Sequence, residues 1–329
     1  MADRPLLSII ITSYTLDRLN DILELLDSIK TQTYTNIETI FVAERSAELY
    51  QRIKAYTQEN GIPNSKVIFN NGEPGMSAAR NLGIKQTKGD IIAFIDDDAL
   101  PFPDWAEEMV KTYNDDSIIG VTGPAFPLWE AESMTWLPEE FYWIIGCSAW
   151  CDWNEPREVR NVWGMNMSFK RKAFDLAGTF STAIGAIQGR RLHGEEDELS
   201  LRIKRRTKRC IVYNPKVRVK HKVYKHRLSS RFVARTSYWI GYTRRALERL
   251  YSEADESKNL LSVEHQLLKR IFIRLLPEIL KGFFKHPFIA WRKLSLTITA
   301  LFFVALGYFS CRFHSLVVGK EAVVHQEEV

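Results

Sequence analysis

The chain has 329 residues, 45% of them apolar, and a formal net charge of +5. This length and apolar content exclude intrinsic disorder and leave room for one large domain with an appendage. The charge is uneven. Thirteen Lys or Arg and no acid lie between Arg202 and Arg231, a block that suits a phosphate-bearing partner, an anionic membrane surface or simply a solvated face. No nucleic-acid partner is expected.

Strand and helix signals alternate over the first ninety residues. Leu6-Leu7-Ser8-Ile9-Ile10-Ile11 reads as a strand, and Leu19, Ile22, Leu23, Leu26 and Ile29 share one face of a helix. A second strand is predicted over residues 37–42 and a second helix over 49–56. A third strand covers 67–69, and a third helix, entered through Gly72-Glu73-Pro74-Gly75, covers 77–86. Ile91-Ile92-Ala93-Phe94-Ile95 is the fourth strand, announced by the turn signal Lys88-Gly89-Asp90. Strands spaced by helices indicate a mainly parallel, Rossmann-like α/β sheet with ligands gathered beyond the carboxyl ends of its strands. From residue 118 to 221 the pattern is less regular and rich in Trp, including Trp129, Trp136, Trp143, Trp150, Trp153 and Trp163.

The fourth strand ends in Asp96-Asp97-Asp98. Three carboxylates at the end of a buried strand repel one another unless positive charge lies among them. A hard divalent cation shared with a diphosphate meets that need. Four cysteines offer no zinc-site spacing: Cys147 and Cys151 stand four apart without a second Cys or His pair, so free thiols are expected.

Near the C-terminus, residues 294–311 form eighteen positions without a charge, flanked by Arg292-Lys293 and Arg312. That length is at the lower limit for crossing a bilayer. Residues 275–291 mix bulky apolar groups with Lys281, Lys285 and two prolines, as an interfacial helix pair would. Basic residues cluster before the apolar stretch and thin out after it. The positive-inside bias therefore puts the N-terminal domain in the cytoplasm of a cell-membrane protein. The first apolar run is too short for a signal peptide. The expected organisation is a nucleotide-binding half over 1–117, an acceptor half over 118–230, a helical connector over 231–291, a spanning or interfacial helix over 292–312, and a tail over 313–329.

Taken in order, several segments resemble the inverting glycosyltransferase family 2, whose catalytic domain has the GT-A fold. They are Leu7-Ser8-Ile9-Ile10-Ile11-Thr12-Ser13-Tyr14, the stretch Ser28 to Tyr34 with Asn36-Ile37-Glu38, Ala78-Ala79-Arg80-Asn81-Leu82-Gly83, the triple aspartate, and Glu195-Glu196-Asp197-Glu198-Leu199 with Arg202. The resemblance implies that Asp98 holds Mg²⁺ or Mn²⁺ bridging the diphosphate of a nucleotide-sugar, with Asp96 sharing the metal or meeting the ribose. It implies that His221 completes the metal shell. Thr12, Tyr14, Glu44, Arg80 and Asp97 then fall on the nucleotide side. Glu196 aligns with the family's catalytic carboxylate, with Glu195 as the neighbouring candidate for the general base.

Trp163-Gly164-Met165-Asn166-Met167-Ser168-Phe169-Lys170-Arg171 resembles the acceptor-side segment, so Asn166 is expected to meet an acceptor hydroxyl. Arg190 and Arg191 are expected to pair with a donor carboxylate or an acceptor phosphate. The chain departs from the family where an Asp pair usually follows the second strand: Ala43-Glu44 stands there, which weakens the expectation of uracil. The Gln-x-x-Arg-Trp motif of processive members is absent after the late acidic motif, which points to transfer of one sugar. The subgroup pattern looks closest to archaeal-type enzymes that add glucuronate to dolichyl-phosphate-linked glucose. Two other readings compete with a lipid-linked acceptor of this kind. One is a hexosyl- or rhamnosyltransferase acting on lipid diphosphates; the other is a non-catalytic nucleotide-sugar or lipid-glycan binding subunit.

Overall fold

The computed structural model of the protein describes residues 4–148, 153–182, 186–187, 190–191, 194–251 and 262–313. Two compact units divide the chain. The first comprises Met1–Leu128, Cys147–Ile187 and Glu195–Lys222; the second comprises Trp129–Gly146, Gln188–Gly194 and Val223–Val329.

The first unit opens with β1 (Leu7–Ser13), α1 (Leu19–Lys30), β2 (Ile37–Glu44), α2 (Ala47–Glu59), β3 (Lys66–Asn70), α3 (Met76–Gln86) and β4 (Ile91–Ile95). This is the predicted alternation, with each strand and helix in its expected place. It continues through β5 (Ala99–Pro101), α4 (Trp105–Thr112), β6 (Ile118–Thr122), β7 (Ala125–Trp129), β8 (Arg157–Val159), β9 (Asn166–Lys170), α5 (Arg171–Ala177), the two-residue strand β10 (Ala186–Ile187), α6 (Glu195–Thr207), β12 (Cys210–Tyr213) and β13 (Val219–Val223), while the two-residue strand β11 (Arg190–Arg191) falls in the second unit. The eight-stranded sheet has the order β3-β2-β1-β4-β9-β6-β12-β8. β1 runs parallel to β2 and β4, β2 to β3, and β6 to β12. β9 lies antiparallel between β4 and β6, with Asn166 opposite Ile95.

The apolar runs are continuous because both sheet faces are covered. Ile9 and Ile11 of β1 and Ala93 and Ile95 of β4 join the core under α1, α2 and α4. Ile10, Ile92 and Phe94 point the other way, into a core closed by Ala79, Phe174, Phe180 and Leu199. Each such large side chain contributes roughly 1.5–3 kcal/mol on burial. The tips of β1, β2 and β4 are thereby held on a rigid base at one edge of the sheet.

The basic block does not form one free face. Arg202 pairs with Glu198, Lys204 with Glu158, Arg218 with Asp104, and Lys222 with both Asp21 and Glu24. At least four of its thirteen cations therefore serve ion pairs within the first unit.

The second unit contains α7 (Ser230–Leu250), α8 (Ser262–Arg270), a π-helical turn at Ile271–Leu275, α9 (Leu276–Lys285) and α10 (Pro287–Phe313). Proline opens α10, where a missing N–H costs nothing. The helix starts earlier than the charge pattern indicates. By length and composition α10 qualifies to cross a bilayer, and it is the one such helix among the described residues.

Candidate active site

The acidic tip of β4 faces a strand from far along the chain. β5, which follows directly, pairs antiparallel with β13, setting His221 opposite Ala99. His221 Nε2 lies 3.0 Å from Asp98 Oδ1, and ligand atoms of Asp96, Asp98 and His221 all lie within 4.8 Å of one another. Asp98 and His221 are buried, while Asp96 is partly open. The structure thus unites three residues that the sequence could associate only by resemblance. Two carboxylates and an imidazole form a donor set that fits Mn²⁺ or Mg²⁺, and the open side at Asp96 leaves access for a further ligand.

Two guanidinium groups hold the carboxylates. Arg18, just beyond β1, hydrogen-bonds Asp97 and lies 3.3 Å from Asp98 Oδ2. Asp97 is not among the three converging residues. Burial pushes its carboxyl up to about 6; Arg18 opposes that rise and Asp98 adds to it. Asp97 is therefore a buried counter-ion of Arg18.

Arg80, on α3, is 3% exposed. Its NH1 donates to Glu195 Oε1 at 3.1 Å, and its NH2 donates to Asp96 Oδ1 at 3.4 Å and to the Gly164 carbonyl at 3.5 Å. The Phe180 ring lies 5.4 Å from its guanidinium carbon. One buried cation thus joins the triple-aspartate motif to the late acidic motif.

That second motif is the first turn of α6. Four acids, Glu195 to Glu198, occupy the helix N-terminus and Lys204, Arg205 and Arg206 the last turn, an order the macrodipole favours at both ends. Three of the four acids have separate tasks. Glu195 is bound by Arg80. Glu198 takes a two-pronged pair from Arg202, whose guanidinium also donates to the carbonyls of Ala177 and Thr179. Glu196 is held well above the usual carboxylate range, chiefly by burial, then by its neighbours Glu195 and Asp197, with Arg80 drawing it down only weakly. A Cβ built on Gly164 would lie 3.6 Å from both Glu196 Oε1 and Arg80 NH2, so the carboxylate, the guanidinium and this bare stretch of backbone face one another.

Other expected contacts fare differently. Thr12 and Tyr14 stand at the carboxyl end of β1, with Tyr14 exposed. Glu44 ends β2 and accepts from the Gly75 amide at 2.8 Å, which fastens the loop entering α3. Asn166, expected on the acceptor side, has both ends of its amide engaged inside the protein. It is fully buried, its Oδ1 accepts from the Trp105 indole at 2.8 Å, and its Nδ2 donates to the Val217 carbonyl at 2.7 Å. Its amide staples β9 to α4 and to the approach to β13. The side chains of Arg190 and Arg191 lie outside the described residues.

A feature the sequence reading did not assign stands next to Gly164. Trp163 stacks on Trp153 with ring centres 6.3 Å apart, and Tyr213 meets both edge-on. Both tryptophans are partly exposed. Their clustering in the Trp-rich segment was the available signal.

The family model for glycosyl transferase family 2 matches residues 8–178. A glucosyl-dolichyl phosphate glucuronosyltransferase from Haloferax volcanii is 32% identical over 285 residues, 86% of this chain and 88% of that protein. The chain belongs to glycosyl transferase family 2, and it is a glycosyltransferase. In fold it is similar to a mannosyltransferase from Pyrobaculum calidifontis solved in complex with GDP-Man and Mn²⁺, at TM-score 0.62 and 18% identity, covering 94% of this chain and 88% of that one. It is also similar to GalNAc-T7 solved with UDP, GalNAc and Mn²⁺, at TM-score 0.52 and 16% identity, covering 80% and 55%. The architecture is GT-A.

Proposed function

We propose that the protein transfers one sugar, with inversion, from a nucleotide-sugar to a sugar carried on a lipid phosphate, with UDP-glucuronate as the leading donor. The observation that carries this reading is the juxtaposition of the Asp96–Asp98–His221 group with Glu196 through Arg80. The name of the Haloferax relative, shared over most of both chains, supports glucuronate and a dolichyl-phosphate acceptor. The Mn²⁺ in two structural neighbours supports a divalent ion at the aspartates.

Asp96, Asp98 and His221 hold the ion, which when bound supplies positive charge against the departing diphosphate. Arg80 fixes Asp96 in place and adds positive charge behind it. Glu196 is the base. It accepts the proton of the acceptor hydroxyl as that oxygen bonds to the anomeric carbon and the bond from that carbon to the diphosphate breaks. Glu195 is less suited because Arg80 already occupies its carboxylate. A raised pKa brings Glu196 closer to neutrality, where a base is most effective. Trp163 and Trp153 offer the acceptor sugar an apolar face to stack on beside Gly164.

A mass-spectrometric screen tests this directly: a panel of UDP-sugars, Mn²⁺ and a lipid-phosphate-linked glucose acceptor. One donor should give one added sugar, and Asp98→Asn should abolish the product. Glu196→Gln should lower turnover at least about a hundredfold while donor affinity is kept. Unchanged turnover in Glu196→Gln would remove the base. Transfer of a neutral hexose or rhamnose to a lipid diphosphate would replace the donor and acceptor. Metal-dependent UDP binding without transfer or hydrolysis would mark a binding subunit.

A further inference from the structure

The second unit presents two apolar faces, and only one is used within it. Along α10, Leu296, Thr297, Ala300 and Cys311 are buried. This face meets α7 at a crossing that admits only glycine. A Cβ on Gly241 would lie 2.0 Å from the Val304 carbonyl oxygen, and one on Gly307 would lie 1.9 Å from that of Tyr238. The two helices then run on in the same sense. Arg245 donates to Tyr308 Oη at 3.2 Å and Arg249 to the Cys311 carbonyl at 2.8 Å.

Among the described residues, the opposite face is uncovered. Phe284, Phe288, Trp291, Ile298, Phe302 and Phe309 are between 57% and 93% exposed. From Phe288 onward they recur at helical spacing, forming one stripe. Basic groups accompany it: from Lys269 to Phe313 there are eight Lys or Arg and one acid, Glu278. An apolar stripe with a cationic margin matches an anionic bilayer surface.

The partner helix decides how α10 meets that bilayer. α7 carries Arg231, Arg235, Arg244, Arg245, Glu248 and Arg249, and Arg244 is ion-paired to Glu264 of α8 at 2.8 Å. Were α10 to cross the hydrocarbon, α7, locked to its C-terminal half, would be drawn in with these charges, which are costly at bilayer depth. We infer that α10 does not span: α9 and α10 lie along one leaflet of an anionic phospholipid membrane, with the aromatic stripe in the acyl boundary and α7 on the aqueous side. The inference rests on the membrane-borne acceptor of the preceding reading for its setting, and it makes the protein monotopic, with the C-terminus on the same side as the catalytic unit.

The test uses the full chain with a C-terminal epitope tag on closed vesicles of phosphatidylglycerol and phosphatidylcholine, with the catalytic unit outward. External protease should remove the catalytic unit and the tag together. A tag that survives until detergent is added shows a span and overturns the inference. Phe288→Gln, Phe302→Gln and Phe309→Gln combined should lower the vesicle-bound fraction about tenfold or more, by loss of apolar burial, and wild-type binding should weaken on pure phosphatidylcholine. If the triple variant stays bound but a wild-type dimer becomes monomeric, the stripe is a contact between copies and the inference fails. Sugar transfer plays no part in these readouts, so its absence would count against the transferase reading alone.

Discussion

Replacing Arg80 by methionine removes a buried cation that serves Asp96 and Glu195 together. The guanidinium is buried, lies 3.1 Å from Glu195 and 3.4 Å from Asp96, and has little solvent to share its loss. Breaking one side of a buried pair typically costs about 3–5 kcal/mol, because the orphaned charge stays behind. At roughly 2–4 °C per kcal/mol for a unit of this size, thermal unfolding in detergent should move down by about 6–20 °C. Added Mn²⁺ should recover part of the fall, since an ion at Asp96 and Asp98 answers one of the two stranded carboxylates. Arg80→Lys should recover less than half, because one ammonium cannot serve Glu195, Asp96 and the Gly164 carbonyl at once. Adding Glu195→Gln to Arg80→Met should be milder than additivity predicts by at least about 1 kcal/mol. A fall under about 2 °C, or strict additivity of the two substitutions, would show that Arg80 does not link the motifs.

Glu196→Gln should stabilise the protein at neutral pH even as it stops turnover. The folded pKa is raised, so the unfolded chain releases this proton first as pH climbs and stability drains away until the folded group ionises as well. The gain in melting temperature should therefore vanish below the ordinary glutamate range, and a gain independent of pH would contradict the burial argument. Wild-type turnover should fall as pH drops through the raised value of Glu196. Arg18→Gln should destabilise most well above about pH 6 and less below it, because Asp97, pushed up to about 6, is then protonated and needs no partner; pH-dependent melting curves check the sign. Gly307→Leu should force α7 and α10 apart, costing about 1–3 kcal/mol or more, and increase proteolysis within α7, as limited digestion would report.

What was legible in the sequence is what local pattern records. β1, β2 and β4 and the helices between them follow from apolar runs buried on two faces, the short apolar β3 closes the edge, and the aspartates at the tip of β4 stand out as charge where the run stops. β9 escaped this reading because Asn166 and Ser168 look like loop residues. Their burial depends on Trp105, Tyr113 and Val217, all far away in sequence. The same limit hid the partners of Arg80 and Arg202, and it left the basic block looking like a surface when several of its members close ion pairs. Gly241 and Gly307 carry no helical signal at all. Their meaning exists only where two backbones meet.

The paired glutamates at the start of α6 show how one fold gives adjacent, chemically identical side chains different duties. Helical geometry turns successive residues by about 100°, so Glu195 and Glu196 present their carboxylates to different surroundings. Arg80 hydrogen-bonds the first, Asp96 and the Gly164 carbonyl, and acts on Glu196 only through space. Among the described residues, Glu196 therefore keeps a partly buried carboxylate without a hydrogen-bonded cation, which would be a defect in a structural residue. In a base it is the useful state, because a fully paired carboxylate has little tendency to take a proton. Restoring a cation to Glu196, for example through Gly164→Lys, should lower its pKa and slow the reaction. Its pH profile should also move to lower values, an outcome that separates lost basicity from a merely blocked site.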